Sequence, residues 1–363
     1  MHYQVKDKQF NNKFLAATEA SKVGTDIHFD LYEEAFDKVS WAKEPDLTWD
    51  TLLDMRARQI EARGIPIVFH FSGGTDSYTI YKVFERNNIH IDMVYTRAWD
   101  TERENQQQVF ELTHNNFYDK TTKVVVRDGT SAIRDDAYLD PDWIWTKGYR
   151  YQYGIVCTGD EEANDHAAKI LGTDNFISIL GFEKPRLHFD ETGVYSYQDD
   201  ENYVRTMTDP RLDCFYISPE LPELHVKQSY MLLNYIKRLR PYATHTNQLT
   251  AFNKIHVPSK FNWLDYSLTG CGRFGDINMS DTSHLSMENT KLYIPSRQNA
   301  MSLDYQGRAK PWFESFSGTV GFKNYVSGIL NVANDTAGKY LMQDPNNFYS
   351  MRQFRSKHYK LTF

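Results

Sequence analysis

Residues 65–77 read IPIVFHFSGGTDS. The first seven residues, through Phe71, form an apolar run of strand length. The segment that begins at Asp76, DSYTIYKVFERNN, places Tyr78, Tyr81, Val83 and Phe84 at helical spacing. The join between them, Ser72 to Ser77, holds two glycines, three hydroxyls and one carboxylate. A strand that ends in SGG and turns into a helix aims several backbone N–H groups at one spot. That spot lies at the positive end of the helix dipole, where anions bind. Gly73 and Gly74 let the backbone approach a ligand closely. Ser72, Thr75 and Ser77 add hydroxyl donors. Asp76 would repel a bare anion, so its place in the loop makes sense with a bridging Mg²⁺. A plain capping turn would need neither the doubled glycine nor the buried strand before it.

Strands and helices alternate on the carboxyl-terminal side of the loop. HIDMVYT (90–96), TKVVVRD (122–128) and FISILG (176–181) read as further strands, and 101–117 and 160–172 as helices, with Gly172 ending the second. This alternation predicts an α/β fold: a Rossmann-like parallel sheet with helices on both faces, plus a mixed carboxy-terminal elaboration. Residues 48–64 read as a helix, 187–206 as extended or hairpin structure, and 222–241 as an amphipathic helix bounded by prolines. The organisation expected is a helical extension over 1–60, a nucleotide-binding domain over 61–240 and a mixed region over 241–363. The last thirteen residues, MRQFRSKHYKLTF, read as a solvated helix or as a contact to phosphate or a partner chain.

The loop is not a Walker A motif, since Gly338-Lys339 is followed by Tyr340, and it is not GxGxxG. FSGGTDS resembles the SGGxDS signature of the PP-loop ATP pyrophosphatases, the adenine nucleotide alpha-hydrolase-like superfamily. It matches at Ser72, Gly73, Gly74, Asp76 and Ser77, and the likeness extends over about residues 60 to 190. The resemblance implies ATP and Mg²⁺ as ligands. Ser72, Gly73, Gly74, Thr75 and Ser77 would hold the β- and γ-phosphates, and Asp76 would place the metal. Tyr95 and Thr96, ending the second strand, would lie beside the adenine. The reaction implied is attack on the α-phosphate, giving an adenylated substrate and pyrophosphate.

GFEKPRL (181–187) puts Gly181, Lys184 and Arg186 at the same sheet edge. Gly181 permits close approach, and two cations there would stabilise a leaving pyrophosphate. The segment is similar to the glycine-plus-basic stretch of the phosphoadenylylsulfate reductase branch, as are Cys157, Thr158 and Lys169. The reductase's carboxy-terminal cysteine motif is absent. Cys271, in TGCGRFGD, reads as a buried turn cysteine or a nucleophile. Asp160, Glu161, Glu162 and Asp165 open a helix and could lend a Mg²⁺ ligand; the stretch loosely resembles the acidic loop of asparagine synthetases. Arg97 and Arg103 could bind substrate. The synthetases' cysteine after Met1 is replaced by His2. Nitrogen, if used, would come from ammonia, a substrate amine or a separate nitrogen-donor subunit.

The net charge of −7 argues against a dedicated nucleic-acid binder but leaves a local basic groove open. The 24 tyrosines and 22 phenylalanines suit an aromatic-rich core, or base stacking in a small-molecule or nucleoside-type acceptor site. Three scattered cysteines without a CxxC pair support no zinc site and fit a reducing cytoplasm. The amino terminus has no signal-type apolar stretch, and no run approaches the ~20 apolar residues of a membrane helix. Three readings follow: an adenylyl-forming ligase or transferase, a phosphoadenylylsulfate reductase-like or sulfur-transfer enzyme, and a non-catalytic nucleotide-binding module.

Overall fold

The computed structural model describes residues 1–71, 75–98, 117, 121–128, 141–146, 158–181, 185–190, 192–200, 203, 207, 209–239, 266–267, 320–341, 352 and 354–362. The chain opens with β1 (His2–Val5), β2 (Lys8–Phe10), α1 (Lys13–Val23), β3 (His28–Asp30), α2 (Glu33–Phe36) and α3 (Trp49–Glu61). The three strands form an antiparallel sheet in the order β2-β1-β3. A mainly helical start was expected; these strands are three or four residues long and rich in polar side chains, too short to show a period of two. The helices have local causes. The Asn12 side chain accepts from the Phe14 and Leu15 amides to start α1, and Thr48 accepts from the Thr51 amide to start α3.

Next come β4 (Ile67–His70), α4 (Thr75–Arg86), β5 (Met93–Ala98), β6 (Lys123–Asp128), α5 (Trp143–Thr146), α6 (Thr158–Leu171) and β7 (Ile177–Leu180). They are followed by β8 (Arg186–Asp190), β9 (Gly193–Tyr197), β10 (Leu212–Cys214) and α7 (Pro222–Leu239). Five strands make one parallel sheet in the order β10-β7-β4-β5-β6. Alternate residues of β4 part to its two faces, as a covered parallel strand requires. Ile67, Phe69 and Phe71 join Leu52, Leu53, Ile80, Val83 and Phe84 of α3 and α4. Val68 joins Tyr95, Ala163 and Ala167, the last two on α6. The fold is thus the expected α/β Rossmann-like sheet with helices on both faces. Its fifth strand, β10, was not read from the sequence.

The chain closes with β11 (Tyr266–Ser267), α8 (Val320–Asn334), α9 (Gly338–Leu341) and β12 (Tyr359–Leu361). A second, antiparallel sheet runs β11-β8-β9-β12, its centre a hairpin over 186–197 where extended or hairpin structure was read over 187–206. The tail read as a solvated helix is instead a strand paired in register with β9, Tyr359 opposite Ser196 and Leu361 opposite Val194. Tyr359 and Leu361 are buried while Lys360 is exposed, the alternation of a half-buried strand. One core unites Tyr3, Phe14 and Phe29 with Leu187, Val194, Tyr359 and Leu361. Helix α7 serves both layers, with Leu224 and Met231 toward the parallel sheet and Val226 and Leu233 toward this second core.

Candidate active site

The parallel sheet reverses direction at one place. From central β4 the chain moves outward through β5 and β6, then crosses back to β7 and β10 on the other side. The carboxyl ends of β4 and β7 therefore flank a topological switch, where open α/β sheets bind ligands. The 72–77 loop leaves β4 there, and Gly181 directly follows β7. Residues 72–74 lie outside the described residues. Thr75, Asp76 and Ser77 form the first turn of α4, with Asp76 partly exposed and Ser77 buried.

Two contacts fix that turn. A Cβ at position 181 would lie 2.9 Å from Ile80 Cδ1, 3.3 Å from the Ser77 nitrogen and 3.4 Å from its Cα. The glycine lets the end of β7 lie against the helix start, so its close approach is to α4. On the other side the Tyr216 hydroxyl donates to the Asp76 carbonyl at 2.9 Å. Tyr216 is itself held by a parallel stack on Trp49, ring centroids 6.1 Å apart. It lies two residues past β10, so it escaped a sequence reading that had no strand there.

Tyr95 and Thr96 were expected to end their strand, but β5 runs on to Ala98 and holds both in its middle, tied to β4 by the Phe71 amide donating to the Tyr95 carbonyl at 2.9 Å. Both side chains are buried. Tyr95 points into the cluster under α6, 5.6 Å from the His70 ring, and His70 bonds Ser178 Oγ at 2.7 Å across β4 and β7. No spacing or motif announces this His70–Ser178 bridge, which joins strands distant in the chain. Arg186 falls on β8, in the second sheet, where it pairs with Asp199 at 2.7 Å. Lys184, Arg103, Cys157 and Cys271 lie outside the described residues. Asp165 pairs with Arg211 at 2.9 Å. Burial at Cys214 leaves that thiol inaccessible. Among the described residues no cluster of three or more His, Cys, Asp or Glu side chains could hold a metal.

No family model and no curated protein matches the chain. A solved NH3-dependent NAD synthetase is similar. It comes from Campylobacter jejuni, in complex with a nitrate ion, at 12% identity and a TM-score of 0.25. The match covers 38% of this chain and 58% of the synthetase chain, less than two-thirds of its length. A likeness so slight carries nothing about activity. No helix among the described residues is long and apolar enough to cross a membrane.

Proposed function

We propose that the protein uses ATP to activate an oxygen of its substrate, transferring AMP to it and releasing pyrophosphate. The observation that carries this reading is the placement of the SGGTDS loop. It links the central strand to its helix at the switch point of a parallel sheet, and its last residue, Ser77, lies against the glycine that follows the neighbouring strand. Backbone amides of the loop and of the first turn of α4 would hold the β- and γ-phosphates. A bound Mg²⁺ would neutralise phosphate charge, with Asp76 as its protein ligand. The substrate oxygen attacks the α-phosphorus, the bond to the bridging oxygen breaks, and pyrophosphate leaves with the electron pair. The acceptor is a small-molecule or nucleoside-type group.

Pyrophosphate release with ATP, Mg²⁺ and pooled candidate acceptors tests the reading. Asp76→Asn and Ser77→Ala should each lower release by about a hundredfold or more, the scale on which single electrostatic groups act in such sites. Their circular dichroism should match the parent. Normal turnover by both variants would sink the assignment.

A further inference from the structure

The second sheet carries a surface that the nucleotide reading leaves unused. Its inner face packs on the core through Leu187, Val194, Tyr359 and Leu361. On its outer face, strand register lines up His188 of β8, Tyr195 of β9 and Lys360 of β12 in one row across three strands. The next row holds Arg186 opposite Tyr197, with His358 beside them. Rows two residues apart along a strand are about 7 Å apart. The rings form one cluster around His358, with centroids 4.8 Å from Tyr197, 5.6 Å from His188 and 6.3 Å from Tyr195. Arg355 lies over the Tyr197 ring at 4.8 Å. His358, Arg355 and Lys360 are exposed, His188 and Tyr195 half-buried, and Tyr197 forms the floor.

We infer that this face binds single-stranded nucleic acid. Cations alone would suit any polyanion. Rings interleaved with them add faces on which bases stack, at about 1–3 kcal/mol per base. Exposed Arg355, His358 and Lys360 on neighbouring rows offer a strand a path along the face, where a free nucleotide would need a pocket. A duplex keeps its bases stacked on each other and would gain only the charge contacts. Since the whole chain carries −7, the attraction is local and few phosphates are engaged. Arg355 and Lys360 supply two such contacts, for a log–log salt slope of about −1.4 on single strands.

Fluorescence anisotropy without ATP tests this separately from the nucleotide site. The probes are labelled oligo(dT) and oligo(U) of about twelve nucleotides and a duplex of equal length, at about 50 mM and 200 mM salt, where few-contact binding is still measurable. Saturable binding to either single strand, several-fold tighter than to duplex, is expected. His358→Ala and Tyr195→Ala should each weaken it about fivefold or more. Lys360→Glu should make the salt slope shallower by about 0.7. Absence of saturable binding, equal affinity for duplex, or unchanged binding in both ring variants would overturn the inference. The circular dichroism of the His358 and Lys360 variants, both at exposed positions, should match the parent, and Tyr195→Phe, which keeps the ring, should bind like the parent.

Discussion

A methyl group at position 181 would come within 2.9 Å of Ile80 Cδ1 and 3.3 Å of the Ser77 nitrogen. Ile80 is fully buried, so its side chain cannot swing out to make room. Gly181→Ala should therefore push the first turn of α4 rather than be absorbed, at an overpacking cost of about 1–3 kcal/mol. Pyrophosphate release should fall by about tenfold or more, while urea unfolding shows only that modest loss. Unchanged release would mean the turn does not position the ligand. His225 makes a different residue-scale case. It is 2% exposed, stacked on Phe36 at 5.4 Å and edge-on to Trp41 at 5.7 Å. Burial pushes its imidazolium down to about 3 from an ordinary 6.5. Between those values the unfolded chain takes up a proton that the folded chain refuses, so stability is full above 6.5 and falls as pH drops toward 3. From about pH 7.5 to about pH 5 the loss from this one group is roughly 2 kcal/mol. In His225→Phe, urea midpoints across that range should fall less steeply than in the parent; an identical slope would remove His225 as the cause.

At the scale of elements, the legible parts of the chain were those whose signal is local. β4, β5, β6 and β7 are apolar runs bounded by turns, and each was read within two or three residues of its observed limits. The turn from β4 into α4 was legible for the same reason, since the strand, the doubled glycine and the helix start lie in adjacent residues. β10 was missed because it is three residues long, and its middle residue, Asp213, is spent on an ion pair with buried Arg56 at 2.5 Å. β12 was missed because its pairing partner, β9, lies far back in the chain, and no local period announces it. Arg186 was read at the same sheet edge as the 72–77 loop. The chain, however, starts a new strand at that residue and delivers it to the second sheet. Tyr216 and His70 shape the site through contacts that join distant strands, a kind of information that spacing does not hold.

At the scale of the whole molecule, Asp200 ties the two ends of the chain to its middle. Its Oδ2 accepts from the Tyr3 hydroxyl at 2.7 Å and pairs with Lys13 Nζ at 2.8 Å, and its Oδ1 accepts from the Phe354 amide at 3.0 Å. Both charged side chains are 0% exposed. Such a pair gains little net energy over apolar residues of equal shape, because both ions are desolvated. Breaking it from one side leaves a buried charge without its counterion, at about 3–5 kcal/mol. Lys13→Met and Asp200→Leu should each lower stability by that order in urea unfolding. The double variant should be less destabilised than the sum of the two, since neither charge is then stranded. The Tyr3 hydroxyl and the Phe354 amide lose an acceptor whenever Asp200 goes, so recovery should stop short of the parent. Simple additivity in this cycle would mean that Lys13 and Asp200 are not coupled.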